Sequence, residues 1–352
     1  MNKRIKWITL LVAMMLVFVG CGNNEAPAST ETGEATGNTA ESAEKPAGDF
    51  KIVLKLSHVF APNEQLTLST NKAADAIRER TNGAVDIQTY PQGQLPTYKD
   101  GLEQVVNGAN FISVEDPSYL GDYVPDFKVL VGPFVYSDID QYTKVVKSDL
   151  VQDLIKKIEA EHKIKVLDMN YVFGFRNMMT NKEIKTPEDL KGMKIRVPGS
   201  QIFVDTINAM GATANPMAFS ETISAVQQGV VDGLEGTVDA MLSNGSAEVV
   251  KNVALTKHFI GVCGIYINSD VFNSIPKEYQ DIILEEFQKN GAEMTNLVKT
   301  NYEKQVKELE AKGIVFNEVD LPAFQERVAP VFAKMEGVTP GFYEKLMEEI
   351  NK

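Results

Sequence analysis

The stretch TPEDLKGMKIRVP, residues 186–198, decides how this chain is read. Pro187 directly after Thr186, with Glu188 and Asp189 next, marks a helix start, because proline suits the first helical position and acids suit the positive end of the helix dipole. Gly192 stops that helix after barely one turn. Lys194-Ile195-Arg196-Val197 then alternates polar and apolar, as a strand with one buried face does, and Pro198 ends it. Arg196 leaves the strand on the face opposite Ile195 and Val197, a position that looks either to solvent and a surface ion pair or into a cleft. Together with ETISAVQQGVVDGLE at 221–235, the stretch puts an arginine on a short strand inside an α/β lobe and points to a protein that grips a carboxylate.

Outward from this stretch, strand-like and helical runs alternate. In the N-terminal half Ile52–Leu56, Leu66–Arg80, Val85–Thr89, Leu102–Val106 and Phe111–Val114 follow one another, with Asn82-Gly83 closing the first helix. This is βαβ patterning, which predicts parallel strands covered by helices. A second series runs through Ile164–Met169, Met178–Thr180, Lys194–Val197, Phe203–Met210 and Thr222–Gln228. Two such series, in a folded part too long for one simple core, predict two lobes. After Pro276 the residues from Lys277 to Ala311 read as one helix, with Gly291 as a weak interruption. At 1.5 Å per residue it spans roughly 50 Å, long enough to cross both lobes; two helices broken at Gly291 are the alternative.

The N-terminus says where the chain works. Lys3, Arg4 and Lys6 precede an apolar run from Ile8 to Val19, and Val19-Gly20-Cys21 closes it. Residues 1–20 read as a lipoprotein signal in which Cys21 becomes the acylated first residue. From Gly22 to Asp49 there is no aromatic residue and no Val, Ile, Leu or Met, so residues 21–49 read as a disordered tether with a reach of roughly 30 Å. The expected location is therefore extracytoplasmic, with the membrane contacted only through the lipid on Cys21. Removing residues 1–20 takes Lys3, Arg4 and Lys6 and no acid, so the net charge of −13 becomes −16. Such an acidic chain argues against nucleic acid and anionic lipid as partners. With Cys21 acylated, Cys263 is left as a lone thiol among Ile260, Val262 and Ile265, which reads as a small buried hydrophobe and rules out a disulfide framework.

Several motifs, in order, carry a resemblance: Ser57-His58-Val59, Arg80-Thr81-Asn82-Gly83, Tyr90-Pro91-Gln92-Gly93-Gln94-Leu95, the 187–198 stretch, and Ala225-Val226-Gln227-Gln228-Gly229-Val230-Val231-Asp232-Gly233. From Phe50 to the C-terminal helix the chain resembles the solute-binding proteins of TRAP transporters, the DctP family. The resemblance implies a two-lobed, periplasmic-binding-protein-like α/β fold with a ligand cleft between lobes. The lobes are expected at 50–172 with 263–302 and at 173–262 with 303–352. It implies a protein that closes around a small organic acid, whether a dicarboxylate, a sugar acid or another carboxylate, and delivers it to TRAP membrane subunits.

By that resemblance Arg196 pairs with the ligand carboxylate, Arg176 in Gly174-Phe175-Arg176 is a second arginine, Phe219 packs on the ligand, and Glu115 reaches it from the first lobe. Where many relatives read Asp-Gly-x-Glu-Asn, this chain has Asp232-Gly233-Leu234-Glu235-Gly236, so an amide is missing at Gly236. Arg196 is then expected to draw on Arg176, Asn170, Ser200 or backbone groups, with Glu235 also at the site. His58 is placed at the cleft mouth, His162 in solvent, and His258 in a structural or hinge role. Three histidines so dispersed offer no metal-ligand spacing, and neither metal nor cofactor is expected.

Competing classes are the ligand-binding component of a sensory system, a binding protein of another transporter type, and an extracytoplasmic enzyme. An enzyme is disfavoured, because there is no Gly-x-Ser-x-Gly elbow, no Gly-rich phosphate loop and no His-Glu-x-x-His helix. A Glu115–Glu235 carboxylate pair is the residual case for glycosidase chemistry.

Overall fold

The computed structural model describes residues 50–352; the expected signal segment, Cys21 and the tether lie outside them. Among the described residues there are nine strands: β1 (Ile52–Ser57), β2 (Val85–Tyr90), β3 (Phe111–Glu115), β4 (Ile164–Thr180), β5 (Lys194–Val197), β6 (Thr213–Pro216), β7 (Gly233–Gly236), β8 (Asn252–Asn268) and β9 (Val315–Asn317). They form one sheet in the order β2-β1-β3-β8-β4-β7-β5-β6, with β9 beside β8. The alternating runs predicted parallel strands throughout. That holds for β1 with β2 and β3, and for β5 with β6 and β7. The centre differs, because β3–β8, β8–β4 and β4–β7 are antiparallel.

The central pair makes the two lobes one sheet. Ile164–Met169 and Met178–Thr180, expected as separate strands, belong to the 17-residue β4, which runs antiparallel to the equally long β8. At the crossing the register shifts between Val172 and Gly174, and Gly174 faces Gly261. Gly174 has φ +111°, and a Cβ at Gly261 would strike the Phe173 ring, so both positions need glycine for the strands to approach.

Apolar side chains cover both faces of the sheet. In the first lobe Leu54, Ile112 and Ile265 pack under Ile77 of helix Gln65–Arg80, and Phe127, Tyr142 and Tyr266 form the opposite core. In the second, Ile195, Val197, Phe203 and Phe324 form one core, and Leu234, Val253 and Leu309 another. Each such side chain contributes about 1.5–3 kcal/mol on full burial. The terminal helix Phe342–Ile350 buries Phe342, Leu346 and Ile350 in the core of Phe127 and Tyr142. That is first-lobe packing for a segment expected with the second lobe.

Helix Lys277–Ala311 is continuous, which answers the question posed by Gly291. A Cβ at Gly291 would overlap the Asp168 carboxylate and the Tyr171 ring, so this glycine lets the bulged part of β4 lie against the helix. The Tyr171 hydroxyl donates to the Phe287 carbonyl (2.9 Å), and the Thr295 hydroxyl donates to the Asn170 carbonyl (2.7 Å). The helix buries Ile283, Phe287 and Met294 in the first lobe and Leu309 in the second.

Candidate functional site

The 186–198 stretch folds as its residues suggest, up to one point. Thr186 and Asp189 form a reciprocal capping box around the single turn Pro187–Leu190, and Gly192 takes φ +81° to feed β5. The expected single buried face is not what forms. β5 lies between β6 and β7, and Arg196 is 2% exposed while Ile195 and Val197 are fully buried. Ile195 and Val197 face the core with Phe203, and the opposite face is covered by the other lobe, so the arginine has no solvent side.

Arg196 faces a cavity of about 60 Å³ between the lobes, lined also by Glu115, Asp116, Arg176, Phe219, Glu235 and Gly236. Its guanidinium donates from Nε (3.2 Å) and Nη2 (2.9 Å) to the Met217 carbonyl and, more weakly, from Nη2 to the Tyr98 hydroxyl (3.4 Å). The Phe219 ring stacks on it, with the guanidinium carbon 5.1 Å from the ring centre. Among the described residues no carboxylate pairs with it. Arg176, by contrast, makes a two-pronged ion pair with the fully buried Glu235 and lies 5.0 Å from the Phe203 ring centre. Burial pushes the Glu235 carboxyl up, but Arg176 outweighs it and holds the group well below the usual carboxylate range.

The first-lobe wall is built from the end of β3 and the turn after it. Glu115 is buried and accepts the Tyr98 N–H (2.5 Å), while burial raises its pKa to about 8. Asp116 accepts the Ser118 N–H (2.8 Å) and is raised by burial to about 6. At neutral pH Glu115 is therefore a neutral acid. The Tyr98 and Tyr119 rings lie 5.5 Å apart, and the Tyr119 hydroxyl is buried without a partner. Tyr98 bridges the lobes, since its hydroxyl also accepts the Phe219 N–H (3.2 Å). At neutral pH Asp116 keeps most of its charge, so the cavity sets two arginines against Glu235 and Asp116; Arg176 is paired with Glu235, while Arg196 makes no ion pair and has neutral hydroxyls beside it. That combination suits an anion carrying hydroxyls.

The structure thus brings Arg196, Arg176, Phe219, Glu115 and Glu235 to one cavity and leaves out the other three candidates. His58 is fully buried behind Val59 and Phe60, with both ring nitrogens unpartnered and its pKa lowered by burial to about 4. Asn170 lines a separate cavity of about 310 Å³ with Lys147, Asp168 and Gln288. Ser200 is buried at the start of helix Gln201–Met210 and does not line the cleft. His258 is buried, hydrogen-bonded to Thr256 (2.8 Å) with its Nε2 3.7 Å from Glu235, so it stands behind the ion pair. At Gly236 a Cβ would meet only Met179 at van der Waals distance, so the missing side chain widens the cavity.

Sequence reading missed Tyr98 and Tyr119. Tyr98 has φ +56°, a left-handed backbone that nothing about a tyrosine announces. Such strain persists only where the surroundings hold it, here the Glu115 carboxyl on its N–H. Among the described residues no cluster of three or more His, Cys, Asp or Glu is placed to hold a metal, and no helix is long and apolar enough to cross a membrane.

This architecture and cleft recur in known proteins. The family profile described as bacterial extracellular solute-binding protein, family 7 (DctP), matches residues 56–337. A TRAP periplasmic solute-binding protein of Desulfovibrio salexigens, in complex with diglycerolphosphate, is 51% identical, with a TM-score of 0.84 over 86% of this chain and 97% of that one. One from Fusobacterium nucleatum with bound sn-glycerol-3-phosphate is 41% identical, with a TM-score of 0.84 over 85% and 97%. The C4-dicarboxylate-binding periplasmic protein DctP of Rhodobacter capsulatus is 29% identical over 82% of this chain and 88% of its own length. With its two lobes, shared central strands and arginine-bearing cleft, this chain belongs to the DctP family of bacterial extracellular solute-binding proteins, the TRAP type.

Proposed function

We propose that this protein captures a small hydroxylated organic acid, its anionic end a carboxylate or a phosphate, and hands it to TRAP membrane subunits. The observation that carries the reading is Arg196: a buried guanidinium without an acid partner, facing a cavity whose other arginine is already neutralised. A buried charge is costly unless paired, so the site is completed by an anion from solution. A planar fork of donors matches two oxygens of a carboxylate or a phosphate. The Tyr98 and Tyr119 hydroxyls and the neutral Glu115 carboxyl supply hydrogen bonds from the opposite wall. A ligand touching both walls favours the closed lobes by its differential affinity. Relatives bound to glycerol phosphates support the phosphate form, and the C4-dicarboxylate relative supports the carboxylate form.

Arg196, Arg176, Phe219, Glu115 and Glu235 are the proposed binding set, with Tyr98 and Tyr119 added to it. His58, Asn170 and Ser200 leave it. We place the lobes at 50–172 with 263–302 and at 173–262 with 303–341, the terminal helix docking on the first lobe. Cys21, by its sequence context, is the proposed lipid attachment site, with residues 21–49 as the tether. In this role the protein binds and releases its ligand without chemistry.

A thermal-shift screen of the purified protein against sugar acids, dicarboxylates and polyol phosphates tests the reading. A ligand at a hundredfold excess over its dissociation constant adds about 2.7 kcal/mol of stability, a shift of several degrees or less at this size. Stabilisation by neutral or cationic solutes alone would overturn it.

A further inference from the structure

We propose that the cleft continues past Phe219 into an outer compartment that takes the uncharged, hydroxylated end of the ligand, so that the protein selects solutes with one charged end and a polyol tail over C4 dicarboxylates. This rests on the anion-binding reading of the inner cavity and specifies its ligand.

Val59 and Phe219 line both the inner cavity and a second one of about 410 Å³ at the seam between the lobes, so these two side chains are the wall between them. The inner space of about 60 Å³ holds a charged head and little more. Phe219 is suited to yielding. It begins the three-residue turn Phe219–Glu221, is only partly buried, and is tied by its backbone N–H to Tyr98. Its ring can turn on χ1 while that hydrogen bond stays made.

The outer compartment is polar but uncharged. Asn63 and Gln92 come from the first lobe, and Ser220, Ser243 and Asn244 from the second. No lysine or arginine lines it. Its acid, Glu64, is buried, accepts the Ala61 N–H (2.8 Å) and is raised by burial to about 8, so it adds no negative charge at neutral pH. Amides and hydroxyls of this kind exchange hydrogen bonds with a polyol, whereas a second carboxylate would lose water and find no cation. Arg176 cannot supply one, because Glu235 already holds it. Because both lobes contribute to the compartment, a tail lodged there adds contacts that exist only when the lobes are together.

The test is calorimetric titration of the purified protein with inorganic phosphate, glycerol 3-phosphate and succinate, repeated on Ser220→Trp, whose indole fills the outer compartment. The wild type is expected to bind glycerol 3-phosphate about tenfold more tightly than inorganic phosphate, the yield of one or two neutral hydrogen bonds, and succinate most weakly. Ser220→Trp should erase that advantage and leave inorganic phosphate within about twofold of wild type, which also reports that the variant is folded. Equal affinity for the two phosphates, an advantage that survives Ser220→Trp, or succinate as the tightest ligand overturns the outer compartment while leaving the inner anion site standing. Absence of binding to all three overturns both.

Discussion

On the second-lobe wall of the cleft, Arg196 is buried with only the Met217 carbonyl, the Tyr98 hydroxyl and the Phe219 ring beside it, while its neighbour Arg176 is locked to Glu235. On the first-lobe wall, Glu115 and Asp116 are carboxyls that burial drives toward the neutral form, set among tyrosine hydroxyls. One wall keeps a full charge without a partner, and on the other burial takes the charge from Glu115 while Asp116 keeps most of its own at neutral pH. The difference teaches that acidic residues in a binding cleft need not repel an anion. Their ionisation is set by desolvation, whereas a guanidinium stays charged under the same burial. The two arginines extend the contrast, since Arg176 is paired with Glu235 and Arg196 has no acid partner among the described residues.

The largest effect that can break this comparison is on ligand affinity. Arg196→Ala removes two charge-assisted hydrogen bonds to the anion and is expected to weaken binding by about a hundredfold to ten-thousandfold. Because the ligand-free protein carries that charge unpaired, its melting temperature should stay the same or rise. Calorimetry with the best ligand from the screen and a melting curve without ligand check both halves. A variant that binds normally removes Arg196 from the site.

Next in size is the cost of breaking the paired arginine. Glu235→Gln strands the Arg176 guanidinium in the interior and should destabilise the ligand-free protein by about 3–5 kcal/mol, read by urea unfolding. If Glu235→Gln were as mild as Arg196→Ala, the two arginines would not differ in kind.

The smallest effect is the pH dependence of the first-lobe wall. Glu115 and Asp116 have folded pKa values of about 8 and about 6, above their ordinary 4.5 and 3.8. Across that interval the folded state holds more protons than the unfolded one. Their contribution to stability is therefore complete below about pH 4 and lost as pH rises through 6 to 8. Anion affinity should fall over the same window as the wall gains charge. Glu115→Gln should flatten the upper part of the affinity profile, between pH 7 and about 9. An unchanged profile in that variant would show that Glu115 is ionised throughout.

Much of this protein was determined by sequence alone, and the reason is local. Proline after Thr186, glycine at 192 and the Lys194–Val197 alternation are backbone and packing preferences that act within a few residues, and the structure has the turn and strand they call for. The helix from Lys277 to Ala311 was equally legible, because 3.6-residue periodicity accumulates over its length. The family resemblance carried by the ordered motifs implied Arg196, Arg176, Phe219, Glu115 and Glu235 as site residues, along with His58, Asn170 and Ser200, which do not line that cavity.

Tertiary structure alone decided the rest. Nothing local joins Ile164–Met169 to Met178–Thr180 as one strand; that follows from pairing with β8, nearly a hundred residues away in the chain. The same pairing carries Asn170 to a different cavity, and the pairing of β1 with β2 sets His58 behind the cleft wall. Whether a charged side chain is partnered depends on what the fold brings within a few ångströms, and that distance has no signature in the spacing of residues. Glu235 reaches Arg176 and not Arg196, and Tyr98 reaches across to both Arg196 and Phe219, because the closed arrangement of the lobes puts them there. The sequence determined which charged groups the protein has, and the fold determined which arginine was left without an acid partner among the described residues.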